Sequence, residues 1–111
     1  MKDARILILG FTFKEDCPDI RNTKVADIYT TLHEYTDRIT VWDPYADAAA
    51  VKRAYGIDIV NEKPREKFDA LVMAVAHDEF LHVDFALLAA EHHFIYDVKS
   101  ILPKDVVDGR L

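Results

Sequence analysis

From Gly10 to Lys24 the chain reads GFTFKEDCPDIRNTK, a polar segment with three cations, Lys14, Arg21 and Lys24, and three carboxylates, Glu15, Asp16 and Asp19. It follows a short apolar run and precedes a helical pattern. Its later residues therefore lie near a helix amino terminus, where free N–H groups and the helix dipole favour an anion. A small phosphate-bearing ligand suits such a place, held by two or three local cations and backbone N–H groups. The segment is not a dinucleotide fingerprint, which needs three glycines in a tight strand-to-helix turn where this one has only Gly10, and it is not a P-loop. Composition alone favours a plainer reading, in which Lys14 and Arg21 pair with Glu15, Asp16 and Asp19 on a solvated loop and contribute little.

Other reactive side chains carry weaker signals. Cys17 has no histidine near it in sequence to lower its pKa and reads as structural. Asp43 imitates the ribose-binding acid of a dinucleotide site, but without the glycine loop a turn or cap role before Pro44 is favoured. His77, His82, His92 and His93 lack the carboxylate or cysteine spacing of a tetrahedral metal site and read as surface or cap residues, with His77 at a strand end close to the cleft. Phe80 and Phe85 read as packing residues. Phe11 and Phe13 alternate after the first apolar run, so that one points inward and one toward the cleft.

The elements that must position these residues alternate in type. Arg5 to Gly10, with the run Ile6, Leu7, Ile8 and Leu9, reads as a strand buried on both faces. Val25, Ile28, Tyr29, Leu32 and Tyr35 form one stripe of a helix, with Asn22 or Thr23 as its N-cap. Ile39 to Trp42 is a second strand, stopped by Asp43-Pro44. Ala46 to Tyr55 is an alanine-rich helix closing at Gly56. Strands follow at Asp58 to Val60, Ala70 to Ala76 and Phe94 to Val98, with a helix over Val83 to Ala90. The tail from Pro103 to Leu111 reads as a short helix or a severed connection. This alternation predicts an α/β fold: a three-layer, Rossmann-like domain with a mainly parallel sheet and helices on both faces. In such sheets ligands bind beyond the strand carboxyl ends, which puts the loops after Gly10, Trp42, Ala76 and Val98 at the site.

Composition sets the outer limits. The 111 residues suit one domain, with no linker, repeat or low-complexity tract to divide it. Lys and Arg total 14 against 20 Asp and Glu, a formal charge of -6 with mixed signs along the chain, which disfavours a nucleic-acid partner. No stretch approaches the roughly 20 apolar residues of a membrane helix, the first ten residues lack the features of a signal peptide, and a single cysteine points to a reducing compartment. The expected location is the cytoplasm.

The order of residues in 10–23 resembles the opening of the C-terminal domain of the UDP-glucose/GDP-mannose dehydrogenase family, whose signature is a strand followed by G-x-x-F-K, a short acidic stretch and D-x-R-x-[ST]. The likeness continues through the helix from Lys24 to Tyr35, Val41-Trp-Asp-Pro44, Ala76-His-Asp-Glu-Phe80 and Tyr96-Asp-Val-Lys99, and so covers essentially the whole chain. The Cys-Pro before Asp19 and the Asn-Thr after Arg21 most resemble the branch that oxidises UDP-N-acetylhexosamines for capsule and O-antigen polysaccharides.

Members of this family join an N-terminal NAD-binding domain, a central helical region that makes the dimer, and this C-terminal domain, which closes over a UDP-sugar. They oxidise the sugar's C6 alcohol to a carboxylate, with two hydride transfers to NAD. The resemblance implies that Phe13 and Lys14 contact the UDP-sugar, that Lys99 also touches it, and that Arg21 reaches NAD bound by the other domain. Nothing in the chain matches the family's NAD-binding glycine motif or its catalytic cysteine. The expectation is therefore that residues 1–111 are one excised UDP-sugar-binding domain with Met1 as an engineered start, that the isolated polypeptide is inactive, and that the full enzyme is a homodimer or larger. Two other classes compete. A receiver-like signalling module would need an acidic pair after the first strand, where Gly10, Phe11 and Thr12 stand instead. A non-catalytic partner-binding domain is compatible with every residue pattern and is favoured only if the Lys14 and Arg21 loop binds no nucleotide.

Overall fold

The computed structural model describes residues 4–12, 16, 18–21, 23–75, 77–84, 87–97 and 109–110. Its order of elements is β1 (Ile6–Leu9), α1 (Val25–His33), β2 (Ile39–Trp42), α2 (Ala48–Tyr55), β3 (Ile59–Val60), β4 (Phe68–Met73), α3 (Asp78–Leu81), β5 (Ala89–Asp97) and β6 (Gly109–Arg110). The strands form one sheet in the order β3-β2-β1-β4-β5-β6, and every pair is parallel. That order is doubly wound: the chain runs outward from β1 in one direction, then returns and runs outward in the other, leaving a crevice at the reversal between β1 and β4.

Side-chain alternation explains why β1 is apolar throughout. Ile6 and Ile8 enter one core cluster with Val41, Val51, Val25 and Ile59, while Leu7 and Leu9 enter the other with Trp42, Leu71, Met73 and Phe80. A central strand covered on both faces has no solvent side on which to put a polar residue. Helices α1 and α2 cover the first cluster, through Val25, Ile28, Leu32 and Val51. Helix α3 covers the second through Phe80. The expected three layers are therefore present. Phe68 and Ala70 share a parity yet face opposite clusters, because the ladder with β5 shifts register between them.

Several expectations need correction. Among its described residues Val83 to Ala90 is not one continuous helix: Val83 and Asp84 are irregular, Leu87 lies in a 3₁₀ turn with its N–H donating to Asp84 O at 3.0 Å, and Ala89 and Ala90 open β5. Phe68 N–H donates to Leu88 O at 2.7 Å and Ala89 pairs with Phe68, so sheet pairing overrides alanine's helix preference. Strand β5 consequently starts five residues before Phe94. In the tail Gly109–Arg110 form a sixth strand, while 103–108 lie outside the described residues. Tyr35 is not a core residue; it is 54% exposed. The i→i−3 bonds from Glu34 N–H to Thr31 O and from Tyr35 N–H to Leu32 O tighten the end of α1, turning Tyr35 off the apolar stripe.

The second helix matches its reading. Asp47 caps it by accepting from Ala49 and Ala50 N–H, and Gly56 closes it in the left-handed conformation at φ 71°. At the start of α1 the boundary residue is Lys24, without a side-chain cap bond. The capping is done by Thr23, whose hydroxyl accepts from Val25 N–H at 3.1 Å and donates to Phe11 O at 2.6 Å.

Candidate functional site

At the carboxyl edge of the sheet three strand ends converge. Gly10 ends β1 at φ 98°, and a Cβ built there would stand 2.5 Å from the Cβ of Val75 and 3.0 Å from its backbone N. Only glycine allows this approach to the β4 exit. From that turn the chain delivers Phe11 and Thr12 N–H to the Oδ2 of Asp43, at 2.6 and 3.0 Å. Phe11 points inward, fully buried, with its ring edge-on to Tyr55 at 5.2 Å.

Asp43 itself is fully buried. Its Oδ1 accepts from Tyr45 and Ala46 N–H at 2.8 and 3.0 Å, which is the turn role anticipated before Pro44. Its Oδ2 also lies 2.8 Å from the Nε2 of His77. Burial pushes the carboxyl's pKa up, but hydrogen bonds from His77, Phe11 and Tyr45 outweigh it and hold the group below its ordinary 3.8. With both oxygens engaged and no solvent exposure, Asp43 has no capacity left for a ribose. Gly10 supplies the only glycine of the turn. The described residues therefore do not fit a complete NAD site of their own.

His77 corrects the sequence reading most sharply. It holds the N-cap position of α3, the cap place anticipated, without a side-chain cap bond, but it is fully buried rather than a surface residue, with Tyr45 edge-on and Phe80 tilted against its ring at 4.7 and 5.3 Å. Its Nδ1 accepts from Asp16 N–H at 2.9 Å, so the ring proton belongs on Nε2, facing Asp43. The Oγ1 of Thr12, also buried, lies 3.1 Å from the same Nε2. Asp16 takes a left-handed φ of 56°, and its Oδ1 accepts from Asp78 N–H at 2.8 Å. Among the described residues this network ties the β1–α1 segment to the ends of both β2 and β4.

Tyr45 borders the network. Its hydroxyl donates to Glu79 Oε1 at 2.7 Å, and this bond, together with the carboxylates nearby, pushes the phenol up to about 12. His82, as expected, is an exposed residue at the end of α3. His92 and His93 are strand residues of β5.

Of the residues assigned to ligands in the sequence, Arg21 lies in the described structure. Its Nε and one terminal nitrogen each stand 3.0 Å from an Asp19 oxygen, and its side chain is 85% exposed. It sits on the rim, outside the Asp43–His77 network. Phe13, Lys14 and Lys99 lie outside the described residues, as do Cys17 and Phe85. Sequence reasoning placed His77 at a strand end close to the cleft and Asp43 in a turn, but did not read the two as partners. The signal was their position at the ends of two strands, but it becomes legible only once β2 and β4 are known to flank β1.

Strand order and a polar network at the switch point define a doubly wound α/β domain with its working edge between β1 and β4. The chain belongs to the UDP-glucose/GDP-mannose dehydrogenase family, matching the model of its UDP binding domain over residues 7–104. It is 40% identical, over 114 aligned residues and 100% of its length, to a UDP-N-acetyl-D-glucosamine 6-dehydrogenase of Salmonella typhi, of which it covers 27%. It is 41% identical, over 97% of its length, to the enzyme of that name from Pseudomonas aeruginosa, of which it covers 26%. Thus the chain spans about a quarter of the length of these curated relatives. A solved UDP-D-ManNAc dehydrogenase from Pyrococcus horikoshii superposes with a TM-score of 0.74 at 21% identity, over 98% of this chain and 25% of that one, and shares the fold. Among the described residues no helix is long and apolar enough to cross a membrane.

Proposed function

We propose that this chain is the UDP-sugar-binding domain of an NAD-dependent UDP-sugar 6-dehydrogenase, which oxidises the C6 alcohol of a UDP-N-acetylhexosamine to a carboxylate for capsule or O-antigen synthesis. The observation that carries the reading is the identity of 40% and 41% to two UDP-N-acetyl-D-glucosamine 6-dehydrogenases along nearly the whole chain. It is supported by the working edge between β1 and β4, where the G-x-x-F-K segment leaves the sheet.

In this reading Phe13 and Lys14 bind the UDP-sugar with Lys99, and Arg21 reaches NAD held by another domain. NAD accepts the hydride when bound; the part played by this chain is to hold and orient the nucleotide sugar and to exclude water on closure. Arg21 suits its role because an exposed guanidinium on the rim can exchange Asp19 for a phosphate with the same planar fork. Residues 1–111 then act as one domain of a longer, cytoplasmic enzyme that assembles as a homodimer or larger.

The test is an NMR titration of the isotopically labelled chain with UDP, UDP-N-acetylglucosamine and NAD in turn. Shifts around Phe13, Lys14 and Lys99 with both UDP ligands are expected, and Lys14→Met should weaken UDP binding by about 1–3 kcal/mol. Absence of any response to UDP at millimolar concentration would count against the reading.

A further inference from the structure

We propose that Tyr55, the last residue of α2, is a positioning residue for Arg21: it holds the peptide unit from which the arginine departs, so that the guanidinium works from a fixed base. The proposal rests on the reading that Arg21 reaches NAD. The Tyr55 hydroxyl donates to Ile20 O at 2.5 Å, and Arg21 N–H donates to Asp19 Oδ1 at 2.9 Å. Ile20 C=O and Arg21 N–H belong to one peptide bond, which is planar and stiff. The unit is therefore gripped at both ends, by a phenol on one side and a carboxylate on the other.

The two grips differ in what stands behind them. Asp19 is two positions from Arg21 and fixes a local turn. Tyr55 is 35 positions from Ile20, on a helix that closes at Gly56 with a bond from Gly56 N–H to Lys52 O. Its ring meets the fully buried Phe11 edge-on at 5.2 Å, and Ile20 and Tyr55 both pack against the first core cluster. The ring thus stays in apolar surroundings while the hydroxyl reaches the carbonyl, a division of labour that tyrosine offers and phenylalanine does not. Thr23 is tied to the same place, since its hydroxyl donates to Phe11 O at 2.6 Å. Ile20 and Thr23 are in this way both referred to the core around Phe11. The arginine side chain that leaves this base is 85% exposed. On meeting a ligand it has its own rotamers to lose, without the further cost of ordering a wandering backbone.

Tyr55→Phe removes the donor and keeps the ring. In the full-length enzyme the KM for NAD is expected to rise roughly threefold to tenfold, the range of one lost hydrogen bond, while the KM for the UDP-sugar stays unchanged. Arg21→Ala should raise the NAD KM further, and adding Tyr55→Phe to it should change nothing more, because the residue being positioned is gone. A merely structural hydroxyl predicts otherwise: a loosened domain would raise both KM values and would do so equally with and without Arg21. Either of those results would overturn the positioning role.

One measurement needs no variant to fold. The Tyr55 hydroxyl proton of the unsubstituted chain should exchange slowly with water in cold proton NMR and show a contact to Ile20; exchange at the rate of a free phenol would overturn the anchor outright. A raised NAD KM in Arg21→Ala with none in Tyr55→Phe would remove the positioning role and leave the functional reading standing. An unchanged NAD KM in Arg21→Ala would locate the fault in that reading, and the proposal would fall with it.

Discussion

Two acid–base pairs flank the same segment, and they differ in almost everything except length. Asp43 and His77 approach to 2.8 Å with both side chains wholly buried. Asp19 and Arg21 approach to 3.0 Å with side-chain exposures of 28% and 85%. The first pair sits where water cannot replace a lost bond, so each member depends on the other and on the loop N–H groups they hold. The second sits where water competes with every contact, so its net contribution is small and its arginine can change partners. One end of the segment is held by buried bonds and the other by exposed ones.

The contrast breaks first if Asp43 is not the keystone. Asp43→Ala strands the N–H groups of Phe11, Thr12, Tyr45 and Ala46 together with the ring of His77. A loss of about 3–5 kcal/mol in urea unfolding is expected. A loss below about 1 kcal/mol would mean the pair is no more than an exposed one. Acid sharpens the same point. Because Asp43's pKa is depressed in the folded state, the stability it contributes is present above its ordinary 3.8 and disappears as pH falls through the lower folded value. Asp43→Asn should therefore flatten the acid limb of a pH–stability curve below 3.8 and leave its neutral region parallel to that of the unsubstituted chain.

Next in size is Gly10→Ala. The turn needs φ 98° and has Val75 Cβ where the methyl would go, so a cost of about 1–3 kcal/mol is expected from the backbone conformation alone. The melting temperature should fall, and the Phe11 and Thr12 amides should lose exchange protection. At the small end, Arg21→Ala should move stability by no more than about 0.5 kcal/mol in the same unfolding assay. A larger loss would show that the rim pair is structural and would remove the distinction between the two ends.

The glutamate beside Tyr45 offers the finest probe. The phenol is pushed up to about 12 by its bond to Glu79, so tyrosinate absorbance should show one group titrating late, and Glu79→Gln should bring it back toward 10.0. Since the bond needs the protonated phenol, its contribution is present below 10 and fades as pH rises toward the folded value.

The sequence by itself determined the alternation of elements, because a strand buried on both faces is written as an unbroken apolar run, Ile6 to Leu9, and a helix stop as Gly56. It determined the family too, because the order of residues in the polar segment is specific where composition is not. It misread Ala89 and Ala90, where helix preference is local but pairing with Phe68 is not, and Tyr35, whose periodicity outlasted its helix. The roles of Asp43 and His77 were decided only by tertiary structure. They lie 34 positions apart on strands that flank β1, and each looks like an ordinary turn or surface residue until the strand order brings them to either side of Gly10. Burial then does what sequence spacing cannot express: it removes water as an alternative partner and leaves one carboxylate and one imidazole to hold the N–H groups of Phe11, Thr12 and Asp16.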